Sequence, residues 1–446
     1  MTKLFHDILG LWRKFWQTEM VKVFSFTSVA TMVRMLTGLI SVKMVAVIVG
    51  PSGVALIGQL HNFSYICLNL ATGGISTGIT KYISEHKNAH SDIIKQYISS
   101  AFRITLYCSL LLGICLIAFH RLISKWVLLS PQYGYVFVVF GVTILLFALN
   151  VLLLSIINGY KEYKRYVKIN IANSICSLTF TVVLVYFFGL KGALISVVTF
   201  QSVMLFVTFL MVRKLPWLKK EYFLSKLQNP IVKKYLRYSL MFLVNTAVIP
   251  LSQLILRGYV ISEISDVHAG WWEAMNRLSG MYSSVITMSF SVYFLPRLSE
   301  LTTRIELRQE IFKTYKILIP ILIIGFTAIY FSRFLIIRLV FTQEFLPMEN
   351  LFIWQLSGDL FAIVSWVFAY LMLAKSMTKA YIITVILNSA LFVGLAFLLM
   401  KSNGIVGITQ AFFITYILYA IVLCIIFKEI IFIKMKPNFF KINENS

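Results

Sequence analysis

The chain has 446 residues, 59% of them hydrophobic and 13% charged, with 41 Lys and Arg against 17 Asp and Glu and a net charge of +24. A mean hydropathy of +0.84, with 37 Phe and 22 Tyr, excludes an ordinary soluble domain and indicates a polytopic membrane protein. At about 20 apolar residues per crossing, this length holds roughly a dozen helices and leaves no room for a separate soluble catalytic domain.

In chain order, Leu4, Phe5, Ile8, Trp12, Phe15 and Trp16 share one helical face, so residues 1–22 read as an amphipathic helix on the cytoplasmic leaflet. Asp7, Arg13 and Lys14 interrupt that stretch, which argues against a cleaved signal peptide. Apolar runs then predict crossings near 24–49, 53–79, 101–119, 133–157, 169–188, 192–212, 236–257, 268–293, 315–335, 350–372, 381–400 and 405–427. The fold class is therefore all-α, with twelve transmembrane helices. Thirty-one basic residues fall on the side that holds both termini and six on the other, so both termini are expected in the cytoplasm. Cys67, Cys108, Cys115, Cys176 and Cys424 all lie in predicted crossings and form no disulfide framework.

Shifted by 215 residues, the chain matches itself. Ser84-Glu85 meets Ser299-Glu300, and Lys164 and Tyr166 meet Lys379 and Tyr381. Asn173-Ser174 meets Asn388-Ser389, and Gly189 and Gly192 meet Gly404 and Gly407. Six crossings separate the matches, so the halves are parallel repeats that enclose a site at their interface. The expected organisation is an N-terminal six-helix lobe at 23–213, a basic linker at 214–235, a C-terminal six-helix lobe at 236–428 and a tail at 429–446. The lobes surround a central cavity.

Arg34 lies about ten residues into the first crossing, near mid-membrane, where a basic residue is costly on lipid and is either functional or tied to carbonyls or a partner helix. Thr27, Thr31, Gly38 and Ser41 share its side of an ideal helix, which makes it part of a polar stripe. Lys43 is either a second cavity cation or a snorkelling residue. Glu273 and Arg277 have the spacing of an intrahelical pair, and Arg257 closes the seventh crossing. Asp359 has no basic residue one turn away, so it is a proton or sodium site or the partner of a cation on another helix. Pro250 and Pro320 should kink or loosen their helices, as a hinge, for which Pro250 is the candidate, or as a tolerated bend, and Gly74 and Gly78 pair for packing on the second crossing. The first six predicted crossings hold Arg34 and Lys43 but no carboxylate, so the N-terminal side of the cavity should attract anions, phosphates above all. His86 and His90 lack further ligands, and no metal or cofactor is expected.

These residues sit in motifs that resemble a known family. Val33-Arg34 through Lys43, Gly50-Pro51-Ser52-Gly53 and Gly78-Ile79-Thr80-Lys81-Tyr82 are similar to the first two helices of Wzx-type lipid-linked oligosaccharide flippases. They are most similar to the branch that includes the flippase for the enterobacterial common antigen lipid. The Ser289–Pro296 stretch, Trp354-Gln355-Leu356-Ser357-Gly358-Asp359 and Tyr370-Leu371-Met372-Leu373-Ala374-Lys375 resemble that branch as well. The resemblance implies the fold of the multidrug, oligosaccharidyl-lipid and polysaccharide exporter superfamily and a place in the bacterial inner membrane. It implies transport of an undecaprenyl-diphosphate-linked oligosaccharide, an O-antigen or related repeat unit, with ion coupling. The resemblance fits Arg34 and Lys43 to the diphosphate; with Arg257 and Arg277 from the charge reading they are the expected diphosphate and glycan ligands, and Glu273 and Asp359 are the expected ion-coupling residues or charge partners. The expected partners are that lipid-linked oligosaccharide, membrane lipid and other polysaccharide assembly proteins, with a monomeric chain and no nucleic acid. A multidrug exporter of the same superfamily is the rival, set against by the missing carboxylates. A membrane glycan polymerase is a further rival, set against by periplasmic connections too short to organise chemistry.

Overall fold

The computed structural model describes residues 19–86, 91–223, 225 and 229–431. Residues 1–18 of the expected amphipathic helix, His90 and most of the C-terminal tail therefore lie outside the described residues. Among those described there are twelve long helical segments. The first helical element, Glu19–Ala71, breaks at Gly50 (φ 65°, ψ −173°) ahead of Pro51, giving α1 (19–49) and α2 (51–71). Then come α3 (Ser91–Ala118) and α4 (Gly134–Gly159). The element Tyr163–Val212 breaks at Gly189 into α5 (163–188) and α6 (190–212). The second half runs α7 (Asn229–Glu263), α8 (Asp266–Ser289), α9 (Arg304–Phe331), α10 (Glu349–Ala374), α11 (Thr378–Asn403) and α12 (Val406–Ile426).

Several helices exceed the apolar runs, because apolarity marks only the part inside hydrocarbon. α9 starts at Arg304, where Thr303 and Glu306 form a reciprocal capping box. The second crossing corrects an expectation. It stops at Ala71, and Gly73 and Gly74 take φ of 63° and 64°, a conformation open to glycine. A separate helix, Ser76–His86, follows, so Gly74 and Gly78 do not pair on one continuous helix. The Ser289–Pro296 stretch is also not plain α-helix. Phe290–Phe294 forms a π-turn leading into Leu295–Glu300, which accommodates Pro296, a residue with no N–H for the ladder.

α7 and α8 are absent from the helices apolar enough to count as spans among the described residues. Their polarity comes from residues turned toward protein and cavity, such as Arg257 and Arg277. Elsewhere, Leu111, Val142, Phe187, Ile324 and Leu339 are 67–72% exposed on the outer faces. Such a continuous apolar exterior is a lipid-facing belt.

Three packed clusters give the architecture. One contains the Gly50 ends of both halves, with Val42, Ala46 and Phe137 packed together with Ala269, Trp272, Phe341 and Phe352. At the opposite end, where α4 turns into α5 near Tyr160, each half has its own core: Ile79, Tyr97 and Ile156 in the N-terminal lobe, and Phe294, Val367 and Leu423 in the C-terminal one. The lobes are joined at one end and separate at the other. α7 straddles them: Ile231 and Tyr235 pack in the N-terminal lobe's own core, while Leu254, Leu256 and Val260 pack in the shared one. Pro250 lies between those two stretches.

The repeat is visible in the backbone. Gly189 and Gly404 have φ/ψ of 55°/−133° and 54°/−139°. Lys161 and Ser376, also 215 apart, have φ of 59° and 55°. A Cβ on Gly192 would meet the Leu184 carbonyl oxygen at 1.9 Å, and one on Gly407 would meet that of Leu399 at 2.4 Å. Equal torsions and close approaches at equal offsets are what two copies of one folding unit produce.

Candidate functional site: a cationic cavity between the lobes

Between the separated ends lies a cavity of about 620 Å³, continuous in its lining residues with a second of about 380 Å³. Arg34, Gly38, Val42 and Arg277 border both. α1 contributes Thr31, Arg34, Gly38 and Ser41, which helical spacing sets on one face. α8 contributes Glu273, Arg277, Gly280 and Ser284, again at three- and four-residue intervals. From α5 come Tyr166, Asn170, Asn173, Ser174 and Ser177. Gln201 of α6 is held by the Asn150 amide of α4 at 2.9 Å.

Arg34 is exposed to this cavity, and its guanidinium has no hydrogen-bond or ion-pair partner among the described residues. Arg277 lies across from it on the other lobe, its Nε donating to Glu273 Oε1 at 2.8 Å. The other Glu273 oxygen accepts from Arg257 Nη2 at 2.5 Å. One carboxylate thus serves two arginines, and the cluster including Arg34 keeps an excess of positive charge. His61 of α2 completes the smaller cavity. Only glycine at position 58 lets α2 approach, because a Cβ there would lie 2.4 Å from the Glu273 carboxyl carbon.

Of the four basic residues expected at the site, the structure brings two to the cavity wall and holds two away from it. Arg257 is wholly buried, stacked 5.2 Å from the Trp272 ring and 3.5 Å from Gln59 Oε1; it orients Glu273 and does not line the cavity. Lys43 turns toward the Gly50 end. Its ammonium donates to the Phe341 carbonyl and, at 3.0 Å, to the Arg338 carbonyl, at the end of the short helix Arg333–Val340 of the other lobe. A cation suits the carbonyls of a helix C-terminus.

Asp359 is buried between α8 and α10. It accepts hydrogen bonds from Ser279 Oγ at 2.9 Å, from the Tyr282 hydroxyl, and from Gln355 Nε2 at 3.3 Å. No basic side chain is within ion-pair distance among the described residues. A buried carboxylate surrounded by neutral donors has room for a proton or a small cation as its counter-charge. No group of three or more His, Cys, Asp or Glu that would hold a metal occurs among the described residues.

The sequence reading missed His61 and most of the α5 stripe. Tyr166, Asn173 and Ser174 had already appeared as repeat matches, and that signal was enough to single them out.

The family model described as "Polysaccharide biosynthesis protein" matches residues 20–302. The chain belongs to this family. The matched region contains Arg34, Arg257, Glu273 and Arg277, and ends before Asp359. Among curated relatives in the family's neighbourhood, the chain is 26% identical to the Lipid III flippase of Escherichia coli (strain K12) over 410 residues, 92% of this chain and 98% of that one. The Lipid III flippase of Shigella flexneri matches to the same extent. The fold is also that of solved transporters. The lipid II flippase MurJ in an inward closed conformation superposes with a TM-score of 0.70 at 15% identity, covering 92% of this chain and 90% of that one. An inward-facing multidrug resistance transporter of the MATE family, from the MOP superfamily, gives 0.67 at 14% identity, with 92% and 98% covered. These relatives are flippases and transporters by name, and a non-enzymatic, multi-pass membrane protein of two six-helix lobes agrees with the sequence reading.

Proposed function

We propose that this protein is a flippase that moves a lipid-linked oligosaccharide, attached through a diphosphate, from the cytoplasmic to the periplasmic leaflet of a bacterial inner membrane. The observation that carries the reading is the unpaired Arg34, facing Arg277 across a cavity whose one carboxylate is already held by two arginines. Guanidinium groups offer paired donors that match phosphate oxygens. Taking a multiply charged headgroup through hydrocarbon costs at least several kcal/mol per charge. A basic aqueous path lowers that barrier while the polyprenyl tail stays in lipid. The similarity to flippases named for lipid III supports the same class of substrate here.

Charge also supports the direction. The end at which the lobes separate carries Lys161, Lys164, Arg165, Lys168, Arg213 and Lys214, and basic connections remain in the cytoplasm. The cavity then faces the leaflet where such lipids are made. Lys43 on the Phe341 and Arg338 carbonyls closes the periplasmic side, and rocking about α7 near Pro250 would expose the cavity there. Asp359 is the candidate coupling residue, binding a proton or sodium ion in the C-terminal lobe.

The test is flipping of a fluorescent polyprenyl-diphosphate-linked sugar in proteoliposomes. Arg34→Ala should lose transport and binding of the diphosphate at normal protein recovery. Full activity of that variant would remove Arg34 from the mechanism and with it the main support for an anionic substrate.

A further inference from the structure

Seven α5 positions line the main cavity: 166, 167, 170, 173, 174, 177 and 178. Moved on by 215, five of the seven, namely Tyr381, Val385, Asn388, Ser389 and Phe392 of α11, line a different cavity of about 130 Å³ inside the C-terminal lobe. The repeat has therefore built the same wall twice. What faces the wall differs. The N-terminal copy is bordered by Arg34 and Arg277. The C-terminal copy has no charged side chain on its lining, and an aliphatic and two aromatic residues replace polar ones: Asn170 corresponds to Val385, Ser177 to Phe392 and Gln201 to Tyr416. Trp366 of α10 and Phe412 of α12 complete it.

Asn388 hydrogen-bonds the Tyr416 hydroxyl, and its amide oxygen is buried with no donor; the repeat-related Asn173 oxygen is in the same state. A buried carbonyl without a donor is costly, so such an oxygen is an acceptor awaiting an O–H or N–H group. On one side the pocket is bordered by Gln253 of α7, whose Oε1 accepts from Asn62 of α2 at 3.0 Å. Asn62 follows His61, which borders the smaller central cavity. The pocket thus lies one helix away from the cationic site.

From this geometry we propose that the C-terminal pocket is a sugar subsite, which takes one neutral ring of the headgroup while the diphosphate lies at Arg34 and Arg277. Aromatic faces pack against the C–H faces of a pyranose ring, and the Asn388 oxygen receives a hydroxyl or acetamido N–H. Lacking a cation, the pocket does not compete for phosphate. The volume suits one ring or its acetamido group, not a chain. The inference rests on the flippase reading, since it supplies the neutral part of the same substrate.

Two probes separate the ideas: a short polyprenyl diphosphate without sugar, and the same lipid carrying one N-acetylhexosamine, each bound to the full chain in nanodiscs. Wild type should bind the sugar-bearing lipid more tightly. Asn388→Leu should weaken that lipid about ten-fold, as loss of a single buried hydrogen bond does, and leave the sugar-free lipid unchanged. Trp366→Leu, from another wall, should do the same. Arg34→Ala should weaken both lipids. Equal affinity of wild type for the two lipids would overturn the subsite and leave the flippase reading intact. So would variants that spare both lipids, or a pair of pocket variants that both lose both lipids. Failure of wild type to bind either lipid would remove the flippase reading and the subsite together.

Discussion

Arg257 and Glu273, on neighbouring helices α7 and α8, form a 2.5 Å ion pair in which the guanidinium is wholly buried. Arg277, one turn along α8, binds the other oxygen of the same carboxylate. Removing one member of a buried pair leaves the other uncompensated, at a cost of about 3–5 kcal/mol. Glu273→Gln should therefore lower membrane abundance and thermal stability. The double variant Arg257→Met with Glu273→Met should recover much of the stability but not transport, because Arg277 loses the group that orients it. Thermal unfolding followed in detergent, alongside the flipping assay, separates the two effects.

Lys43 and Arg34 stand on the same helix but have different partners, so their substitutions should differ in kind. Lys43→Met removes donors to the Arg338 and Phe341 carbonyls and leaves the cavity wall intact. Affinity for a polyprenyl diphosphate should change by less than about two-fold, well under the ten-fold step of 1.4 kcal/mol. A cysteine placed at Ser41, in a background free of native cysteines, should become more reactive toward an impermeant thiol reagent added from outside. A large loss of affinity would instead make Lys43 a ligand.

For Asp359, held by Ser279, Tyr282 and Gln355 with no basic partner among the described residues, the expected result is uncoupling. Asp359→Asn keeps the shape and one acceptor and loses the charge. Transport driven by an imposed proton or sodium gradient should fall to the level seen without a gradient, while lipid binding persists. An unchanged gradient response would make Asp359 a structural partner of α8.

Two kinds of glycine give opposite predictions. A Cβ on Gly270 would lie 2.0 Å from the Pro51 carbonyl oxygen, so Gly270→Ala must push α2 and α8 apart where the lobes join. Overpacking of this sort costs about 1–3 kcal/mol, and recovery of folded protein should drop. Gly38 has open space where a side chain would be and borders both cavities. Gly38→Leu should fold normally and block transport by filling the path, which size-exclusion profiles and the flipping assay would check.

How much of this was legible in the sequence depends on which physical rule was at work. Apolar runs mark the crossings, because hydrocarbon demands apolar side chains and internally bonded backbone from any segment that spans it, although α7 and α8 are the least apolar of the twelve and fall short of a span by composition among the described residues. The 215-residue repeat was also readable, since duplicated backbone geometry keeps its glycines, as Gly189 and Gly404 show. Arg34 stood out because a guanidinium in mid-membrane requires a reason. Helix ends did not follow from apolarity; the Thr303–Glu306 capping box places the start of α9 outside the apolar run.

The sequence by itself determined the fold class, the two equivalent halves and the basic residues that the membrane must accommodate. Tertiary structure decided which of those residues share a space. Arg257 and Lys43 are as basic as Arg34, but packing buries the first against Glu273 and turns the second to a helix end on the other lobe. Contacts between α1 and α8, more than two hundred residues apart, arise from how the lobes join at Gly50 and Gly270. No local pattern along one helix encodes such an approach, because it depends on the shapes of two surfaces meeting, and those surfaces exist only once both lobes have folded.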